Sequence, residues 1–225
     1  MKNKKFFILL ILIFYPLTDL LCQDKDFGLW YEIAAGKSFS KKFSVEGSTV
    51  VRTYKDGSTV EQAFMQAGAS YDPNKYLGFT GSYRIGNYVG DDHYYHIRHK
   101  WLADIKGTLP LGRFSLTARL RLQFLLRGQE EAEFDPEAEY DGRFRIKGQY
   151  RIPDFPVDPY VSFETFTPLF SGSDKLVEKS RSTAGVDIKI NKRNKLFTEY
   201  IYERDVTPDL KIMNIISLGY TYKFK

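Results

Sequence analysis

The sequence is poor in cysteine and in long apolar runs. Cys22 is the only cysteine among the 225 residues, so no disulfide can form within the chain. After residue 17, no segment is continuously apolar over the roughly 18 residues that a membrane-spanning helix needs. Helical periodicity is also missing from the rest of the chain. These absences exclude a disulfide-stapled domain and a helical membrane protein.

The first 23 residues have the pattern of an export signal. Lys2, Lys4 and Lys5 precede the apolar segment FFILLILIFYPL. At about a dozen residues, this segment is too short to span a bilayer as a mature helix. We therefore predict a signal peptide over 1–23 and a single further domain over 24–225.

The net charge of the mature chain bears on whether it binds nucleic acid. The signal carries three lysines and one aspartate, so its removal lowers the net charge from +5 to about +3. That charge is too small to predict nucleic-acid binding in an exported protein.

Cys22 is either a lipidated N-terminal cysteine or an ordinary residue near the cleavage site. Lipoprotein signals have a small residue before the cysteine, so Leu21 favours the second interpretation.

Apolar and polar residues alternate in the stretch FSLTARLRLQFLL, from Phe114 to Leu126. Alternation places successive side chains on opposite faces of a β-strand, so leucines line one face and Arg119 and Arg121 the other. The strand exceeds the five or six residues or so that are usual in soluble proteins. It reaches the roughly 9–11 residues that a tilted membrane strand needs. The stretch favours a transmembrane β-barrel with leucines toward lipid and arginines toward a wet lumen.

The same alternation recurs along the mature chain and predicts eleven strands. Short turns rich in Asp, Asn, Pro and Gly alternate with longer polar connections, which is typical of outer-membrane barrels with the short turns facing the periplasm. The tight Asp-Gly turn KDGS (55–58) is an exception among the longer connections. The predicted strands span 27–36, 42–54, 58–71, 76–88, 94–107, 113–127, 142–152, 158–169, 180–191, 195–204 and 214–224.

Eleven strands conflict with the even number found in single-chain bacterial barrels. Either the segment 27–36 is not a full wall strand, or one connection contains an additional strand. The predicted fold is therefore an all-β, antiparallel, up-and-down transmembrane β-barrel of ten or twelve strands.

The polar faces of these strands would fill the lumen with charges of both signs. A barrel of this size is narrow enough for side chains to fill it, and buried charges need partners. One interpretation is a salt-bridged, largely closed polar lumen. The other is a narrow channel or binding pocket for small anionic solutes, favoured by a slight excess of cations. The lumen candidates for ligand binding are Arg98, Lys100, Arg119, Arg121, Arg143, Arg145, Glu164 and Glu199.

No catalytic residue, metal ligand or cofactor site is predicted. His93 and His99 would stand about 20 Å apart along a strand, with His96 facing the other way, so they do not converge on a metal. Ser82 follows Gly81, but no serine lies in a G-x-S-x-G elbow. A rim-located lipid-modifying enzyme stays a less favoured alternative. A soluble, lipocalin-like ligand-binding barrel is another, and it would need apolar faces inside and arginines outside.

Tyrosine and tryptophan recur near the predicted strand ends. Belts of amphipathic rings at the two membrane interfaces would explain their positions. The belt candidates are Trp30, Tyr31, Tyr54, Tyr71, Tyr76, Tyr88, Tyr94, Trp101, Tyr150, Tyr160, Tyr200 and Tyr220.

Several segments resemble a known bacterial family. They are DFGLWYEI (26–33), SKKFSVEG (40–47), DPNKYLGFTGSYR (72–84), YYHIRHKWLADI (94–105), LGRFSLTARLRLQ (111–123) and SLGYTYKF (217–224). The mature chain is similar to the family termed domain of unknown function 2490, whose members are predicted outer-membrane β-barrels abundant in Bacteroidetes-type bacteria. These segments are wall strands and turns, so the resemblance implies architecture and brings no substrate or catalytic residue. Phe224 also resembles the C-terminal aromatic signal read by the barrel-assembly machinery, although Lys225 follows it.

The sequence thus predicts a bacterial outer-membrane protein. We expect it to contact outer-membrane lipid, to be inserted by the barrel-assembly machinery, and to be a monomer that binds no nucleic acid and no cofactor.

Overall fold

The computed structural model describes residues 25–90, 93–127, 139–169, 176–205 and 211–225. The predicted signal peptide, with Cys22, lies outside the described residues. No helix among the described residues is long and apolar enough to cross a membrane. The strands are β1 (Lys25–Ser38), β2 (Phe43–Tyr54), β3 (Thr59–Tyr71), β4 (Leu77–Val89), β5 (Tyr95–Leu111), β6 (Phe114–Arg127), β7 (Glu139–Tyr150), β8 (Val157–Leu169), β9 (Lys179–Lys189), β10 (Asn194–Asp205) and β11 (Ile212–Phe224).

The eleven strands of the described residues close into one barrel. Each strand pairs with its neighbours along the chain, and β1 also pairs with β11. This closing pair is parallel, with Ile33 opposite Tyr220, whereas consecutive strands pair antiparallel. An odd number of alternating strands leaves the first and last pointing the same way, so they close the sheet only as a parallel pair. The predicted count of ten or twelve is therefore wrong, and the antiparallel arrangement fails at the closing pair.

All eleven strands read from the sequence are present, with ends within three residues of the prediction except at the end of β5. The turn predicted there covered 108–113. β5 instead continues to Leu111, which pairs with Phe114 on β6. The turn is confined to Gly112 and Arg113 because Gly112, with φ of 65°, adopts the left-handed conformation without steric penalty.

The barrel has two different rims. The short-turn rim carries the connections β1–β2, β3–β4, β5–β6, β7–β8 and β9–β10 and the end of β11, and the long-loop rim carries the other connections and the start of β1. At the long-loop rim, the carboxylate of Asp26 accepts hydrogen bonds from the backbone nitrogens of Lys55, at 2.9 Å, and Asp56, at 3.0 Å. These bonds attach the first strand to the tight Asp-Gly turn that the sequence predicts.

The barrel wall separates apolar from charged side chains. On β6, Leu120 and Leu122 point outward and are 57% and 61% exposed. The side chains of Arg119 and Arg121, between and beside them, point inward and are 14% and 12% exposed. Outward positions elsewhere carry further exposed apolar residues, including Ile33, Met65, Ile105, Phe163 and Leu218. The alternation of the sequence is therefore realised with the apolar face outside and the charged face inside.

Two inward-facing glycines make room for an aromatic residue on the neighbouring strand. A Cβ on Gly86 would stand 2.3 Å from Cβ of Phe64, and one on Gly219 would stand 2.1 Å from the ring of Phe197. Each glycine lies on the strand next to its aromatic partner. A larger residue at position 219 would displace the ring of Phe197, and one at position 86 would push the backbone of β3 and the Cβ of Phe64 away, so Gly86 helps to hold Phe64 at its place in the lumen.

Candidate functional site

All eight predicted lumen residues lie on the inward faces of their strands. They do not form one site, because some of them are bound in ion pairs and others are not. They are Arg98 and Lys100 on β5, Arg119 and Arg121 on β6, Arg143 and Arg145 on β7, Glu164 on β8 and Glu199 on β10.

Carboxylates neutralise several lumen cations in two neighbouring sets of ion pairs, Asp104–Arg121 and a chain centred on Glu164, that we together term the paired cluster. Glu164 accepts a 2.6 Å hydrogen bond from Nη2 of Arg119, and its other oxygen lies 3.7 Å from Nη1 of Arg181. Glu203 accepts hydrogen bonds from Nε of Arg181 at 2.9 Å and from Nζ of Lys179 at 3.0 Å. The paired cluster comprises Asp104, Arg119, Arg121, Glu164, Lys179, Arg181 and Glu203.

Register explains how the paired cluster forms. Arg121 lies directly opposite Asp104 on β5 and forms a bidentate pair with it, at 2.6 and 2.7 Å. Arg119 lies opposite Arg145 on β7, and Arg145 lies opposite Glu164 on β8. Like charges directly opposite each other destabilise a sheet. Glu164 supplies the negative charge beside these two arginines.

A second set of polar contacts lies nearer the short-turn rim. Asp187 on β9 is 2.9 Å from Nζ of Lys195 and 3.8 Å from Nζ of Lys147. The hydroxyl of Tyr160 donates a hydrogen bond to Glu199. Glu199, predicted as a ligand-binding candidate, is therefore separated from the paired cluster and has a tyrosine as its partner.

Four cations that line one cavity of the lumen make no ion pair with a carboxylate of the described residues, and we term them the unpaired cations; Arg145, which does not line this cavity, makes none either. Arg84 and Arg143 instead donate hydrogen bonds to the amide oxygens of Gln66 and Gln123, each at 2.8 Å. Nε of Arg52 and Nε of Arg143 are buried without a hydrogen-bond partner. A buried charge without an opposite charge costs several kcal/mol of desolvation free energy. The unpaired cations are Arg52, Arg84, Lys100 and Arg143.

An aromatic ring inside the lumen lies against each unpaired cation. Cation–π contacts of this kind contribute about 0.5–2 kcal/mol each, which offsets part of the desolvation cost. The cation-to-centroid distances are 3.8 Å for Arg52 on Trp30, 4.0 Å for Arg84 on Phe64, 4.7 Å for Lys100 on Tyr88 and 4.4 Å for Arg143 on Phe166.

Three residues predicted for the interfacial belts are lumen residues instead. Trp30, Tyr88 and Tyr160 are only 8%, 5% and 6% exposed. The belt prediction is wrong at these positions because it followed residue type rather than strand phase. Trp30 shares its face with Glu32, and Tyr88 shares its face with Arg84. The amphipathic rings serve inside the barrel as partners for charged groups.

The sequence reasoning also missed the uncharged members of the lumen site. Phe64, Phe166, Gln66 and Gln123 contact the unpaired cations but carry no charge. Their inward phase, shared with neighbouring charged residues, is the signal that identifies them.

The unpaired cations border a cavity of about 380 Å³ on the long-loop side of the lumen. Arg98 lines the same cavity, and so do the carboxylates of Glu61, Asp141 and Glu178. A smaller cavity of about 170 Å³ lies on the short-turn side between β1 and β4 and is lined mainly by serine, glycine and threonine. Charge is therefore concentrated around the larger cavity.

Ser82 and His99 lie on opposite faces of the wall in the described part of the barrel. His99 points outward, where its Nδ1 contacts the hydroxyl of Tyr83, whereas Ser82 on β4 points inward. A Ser82–His99 pair is excluded because the wall lies between them. No three His, Cys, Asp or Glu side chains of the described residues are grouped as a metal ion would require.

A family model described as "Protein of unknown function (DUF2490)" matches residues 27–213. The chain belongs to this family. The resemblance noted from the wall strands and turns is thereby confirmed. The description assigns no activity to the members of the family, and no curated protein matches the sequence.

Solved structures resemble the chain in fold. The β domain of the Bordetella autotransporter Brka superposes with a TM-score of 0.56 at 15% identity, covering 83% of this chain and 86% of that chain. A bacterial polysaccharide outer membrane secretin gives a TM-score of 0.49 at 12% identity, covering 82% of this chain and 64% of that chain. At such identities the likeness to the autotransporter domain shows the barrel fold alone.

Proposed function

We propose that this protein is an integral barrel of the bacterial outer membrane. The observation that carries the proposal is the separation of Leu120 and Leu122, outside the wall, from Arg119 and Arg121, inside it. Strands of 11 to 17 residues are long enough to cross a hydrocarbon core when tilted. The closed barrel fold, shared with the autotransporter β domain, is a fold that can span a membrane.

The proposed state of the lumen is largely closed. The paired cluster projects from β5, β6, β8, β9 and β10, and its ion pairs join side chains of adjacent strands or of strands two apart, so that they cover the inner wall from β5 to β10. Short ion pairs such as Arg119–Glu164 are expensive to separate inside a barrel because each charge would lose its partner. An ion-paired lumen therefore supports a barrel that does not conduct freely.

Fractionation tests the proposed location. Outer membranes from cells producing the protein are washed with high salt and then with alkaline carbonate. We expect the protein to stay in the pellet, because salt and alkali weaken electrostatic contacts but not the burial of its apolar exterior in lipid. Release into the supernatant, with a known outer-membrane barrel retained in the same sample, would support the lipocalin-like alternative.

Planar bilayers test the closed lumen. The refolded protein is reconstituted next to a general porin as positive control. We expect no steady single-channel conductance from the refolded protein under conditions in which the porin conducts. Stable, reproducible steps from folded protein would contradict the closed lumen and support a pore.

A narrow channel for small anionic solutes is the second candidate. The observation in its favour is the presence of the unpaired cations, since rings of Arg and Lys select anions in pores. In that case the steps in planar bilayers would carry anions in preference to cations, as the reversal potential in a salt gradient reports.

Insertion by the barrel-assembly machinery and a monomeric state are further parts of the proposal. The final strand β11 ends at the aromatic Phe224, which supports recognition by that machinery. Depletion of the machinery should lower the amount of the protein in the outer membrane.

A further inference from the structure

We propose that the unpaired cations form a binding site for a small, water-soluble anion with at least two phosphate or carboxylate groups. The inference rests on the proposed function, since it places the site in the lumen of a barrel that does not conduct. It goes further by naming the residues of the site and the chemistry of the ligand.

The unpaired cations converge on one space from different parts of the wall. Arg52 projects from β2, Arg84 from β4, Lys100 from β5 and Arg143 from β7, and all four line the 380 Å³ cavity. Small-molecule sites commonly begin at about 300 Å³. The cavity therefore has room for a small molecule that reaches several of these cations together.

The neighbouring groups leave hydrogen-bonding capacity unused. Rings cover faces of the cations but accept no N–H hydrogen bond of the strength that a carboxylate offers. Each of Gln66 and Gln123 gives only a neutral amide oxygen. Nε of Arg52 and of Arg143 remain buried donors without a partner. An oxyanion supplies the acceptors that these groups lack.

Carboxylates that line the same cavity affect which anions the site can bind. Glu61, Asp141, Glu178, Glu203 and Asp205 also line the cavity, and Glu203 pairs with Lys179 and Arg181 rather than with the four cations. They reduce the general positive potential, so a ligand with a single negative charge gains little. A ligand that bridges two or more of the cations gains direct, bidentate guanidinium contacts.

The closed wall indicates whether the ligand is a free solute or the headgroup of a lipid. Every strand of the described barrel pairs with a neighbour on both sides, so the cavity has no lateral gap through which a lipid chain could follow its headgroup. The cavity lies toward the long-loop rim. The ligand is therefore a free solute rather than the headgroup of a membrane lipid.

Calorimetry with the refolded, full mature barrel in a non-ionic detergent tests the site. Inorganic pyrophosphate and tricarballylate are the phosphate and carboxylate probes, acetate is the monovalent control, and vesicles containing an anionic phospholipid are the headgroup control. We expect saturable binding of one or both multivalent probes at micromolar to millimolar concentration. Acetate and the vesicles should bind at least about tenfold more weakly.

Matched variants localise the binding. Arg52→Gln and Arg143→Gln remove charges of the site, and Lys106→Gln removes an exposed charge that is paired with Asp72 at the short-turn rim. We expect each site variant to weaken binding of the preferred probe about tenfold or more, with Lys106→Gln unchanged. Heat-dependent migration on gels checks that each variant is folded. If a site variant does not fold, Lys100→Met replaces it. The rise in unfolding temperature caused by the probe is then compared between wild type and Lys100→Met, and we expect a smaller rise in the variant.

Two results would overturn the inference. One is no saturable binding by folded wild-type protein at on the order of 10 mM of either multivalent probe. The other is equal binding by wild type and the folded site variants. Neither result bears on the closed barrel, which fails only on the separate outcome of steady conductance in planar bilayers.

Discussion

Two groups of buried cations in the same lumen differ in their partners, since one group has carboxylates and the other does not. In the paired cluster, Arg119, Arg121 and Arg181 each meet a carboxylate. Arg52 and Lys100, among the unpaired cations, meet only aromatic rings in the described residues. Ion pairing stabilises the first group, whereas the second group retains a desolvation cost. A charge that the fold leaves uncompensated points to a ligand, and a compensated one points to architecture.

The largest expected effect comes from breaking the paired cluster at its centre. Glu164→Gln leaves Arg119 without its 2.6 Å partner and should lower the free energy of unfolding by about 3–5 kcal/mol. Urea titration of the barrel in lipid vesicles, followed by tryptophan fluorescence, measures the change. Asp72→Asn, at an exposed pair, is the matched control. A change below about 1 kcal/mol for Glu164→Gln would show that the paired cluster does not stabilise the barrel.

A somewhat smaller effect should come from charging the other face of the same strand. Leu120→Arg places a guanidinium beside Arg119 and Arg121 in sequence but outside the wall, and it should cost about 2–4 kcal/mol in a bilayer. Leu111→Arg, at the short-turn rim, should cost about 0–1 kcal/mol. The same urea titration compares the two variants. Equal costs would mean that the outer face of β6 does not contact lipid. The assignment of an inside and an outside to the wall, on which the comparison of the two lumen groups depends, would then be wrong.

The unpaired cations should respond in the opposite direction. Lys100→Met keeps the length of the side chain, removes the charge and loses one ring contact at 4.7 Å. We expect the free energy of unfolding to stay the same or rise by up to about 2 kcal/mol, because the desolvation cost disappears with the charge. The same vesicle titration, in a buffer free of phosphate and polycarboxylates, measures it. A loss as large as that of Glu164→Gln would remove the distinction between the groups.

The smallest effect belongs to an exposed pair. Lys106 lies 3.4 Å from Asp72, and the two side chains are 48% and 42% exposed. Lys106→Gln should change the free energy of unfolding by less than about 1 kcal/mol, because solvent already screens the pair. The variant thereby sets the baseline for the buried positions, and a larger loss would show that charge removal itself, at any depth, destabilises this barrel.

Much of the wall could be predicted, since strand phase is a local property. The eleven strands were found from alternation alone, and the inward phase of all eight lumen candidates follows from it. The number of strands was predicted wrongly because closure is not local: a parallel pair between β1 and β11 joins residues at opposite ends of the chain. No pattern within either strand indicates that partner.

The lumen site could be predicted only in part for a related reason. Alternation places Arg119 and Arg143 on inward faces but does not say that Glu164 reaches one and not the other. Trp30 and Tyr88 were assigned to the interfaces because residue type was weighed above phase. Pairing inside a barrel depends on register and on the distance across the lumen, which are set when the sheet closes.

The sequence by itself determined the class of structure: a β wall with an apolar face and a charged face, because a period of two residues fixes the direction of each side chain. Only the tertiary structure decided which charges find partners. Closure brings strands far apart in the chain to one lumen, where Arg119 and Arg181 meet Glu164 and Glu203, while Arg52, Arg84, Lys100 and Arg143 lie against aromatic rings.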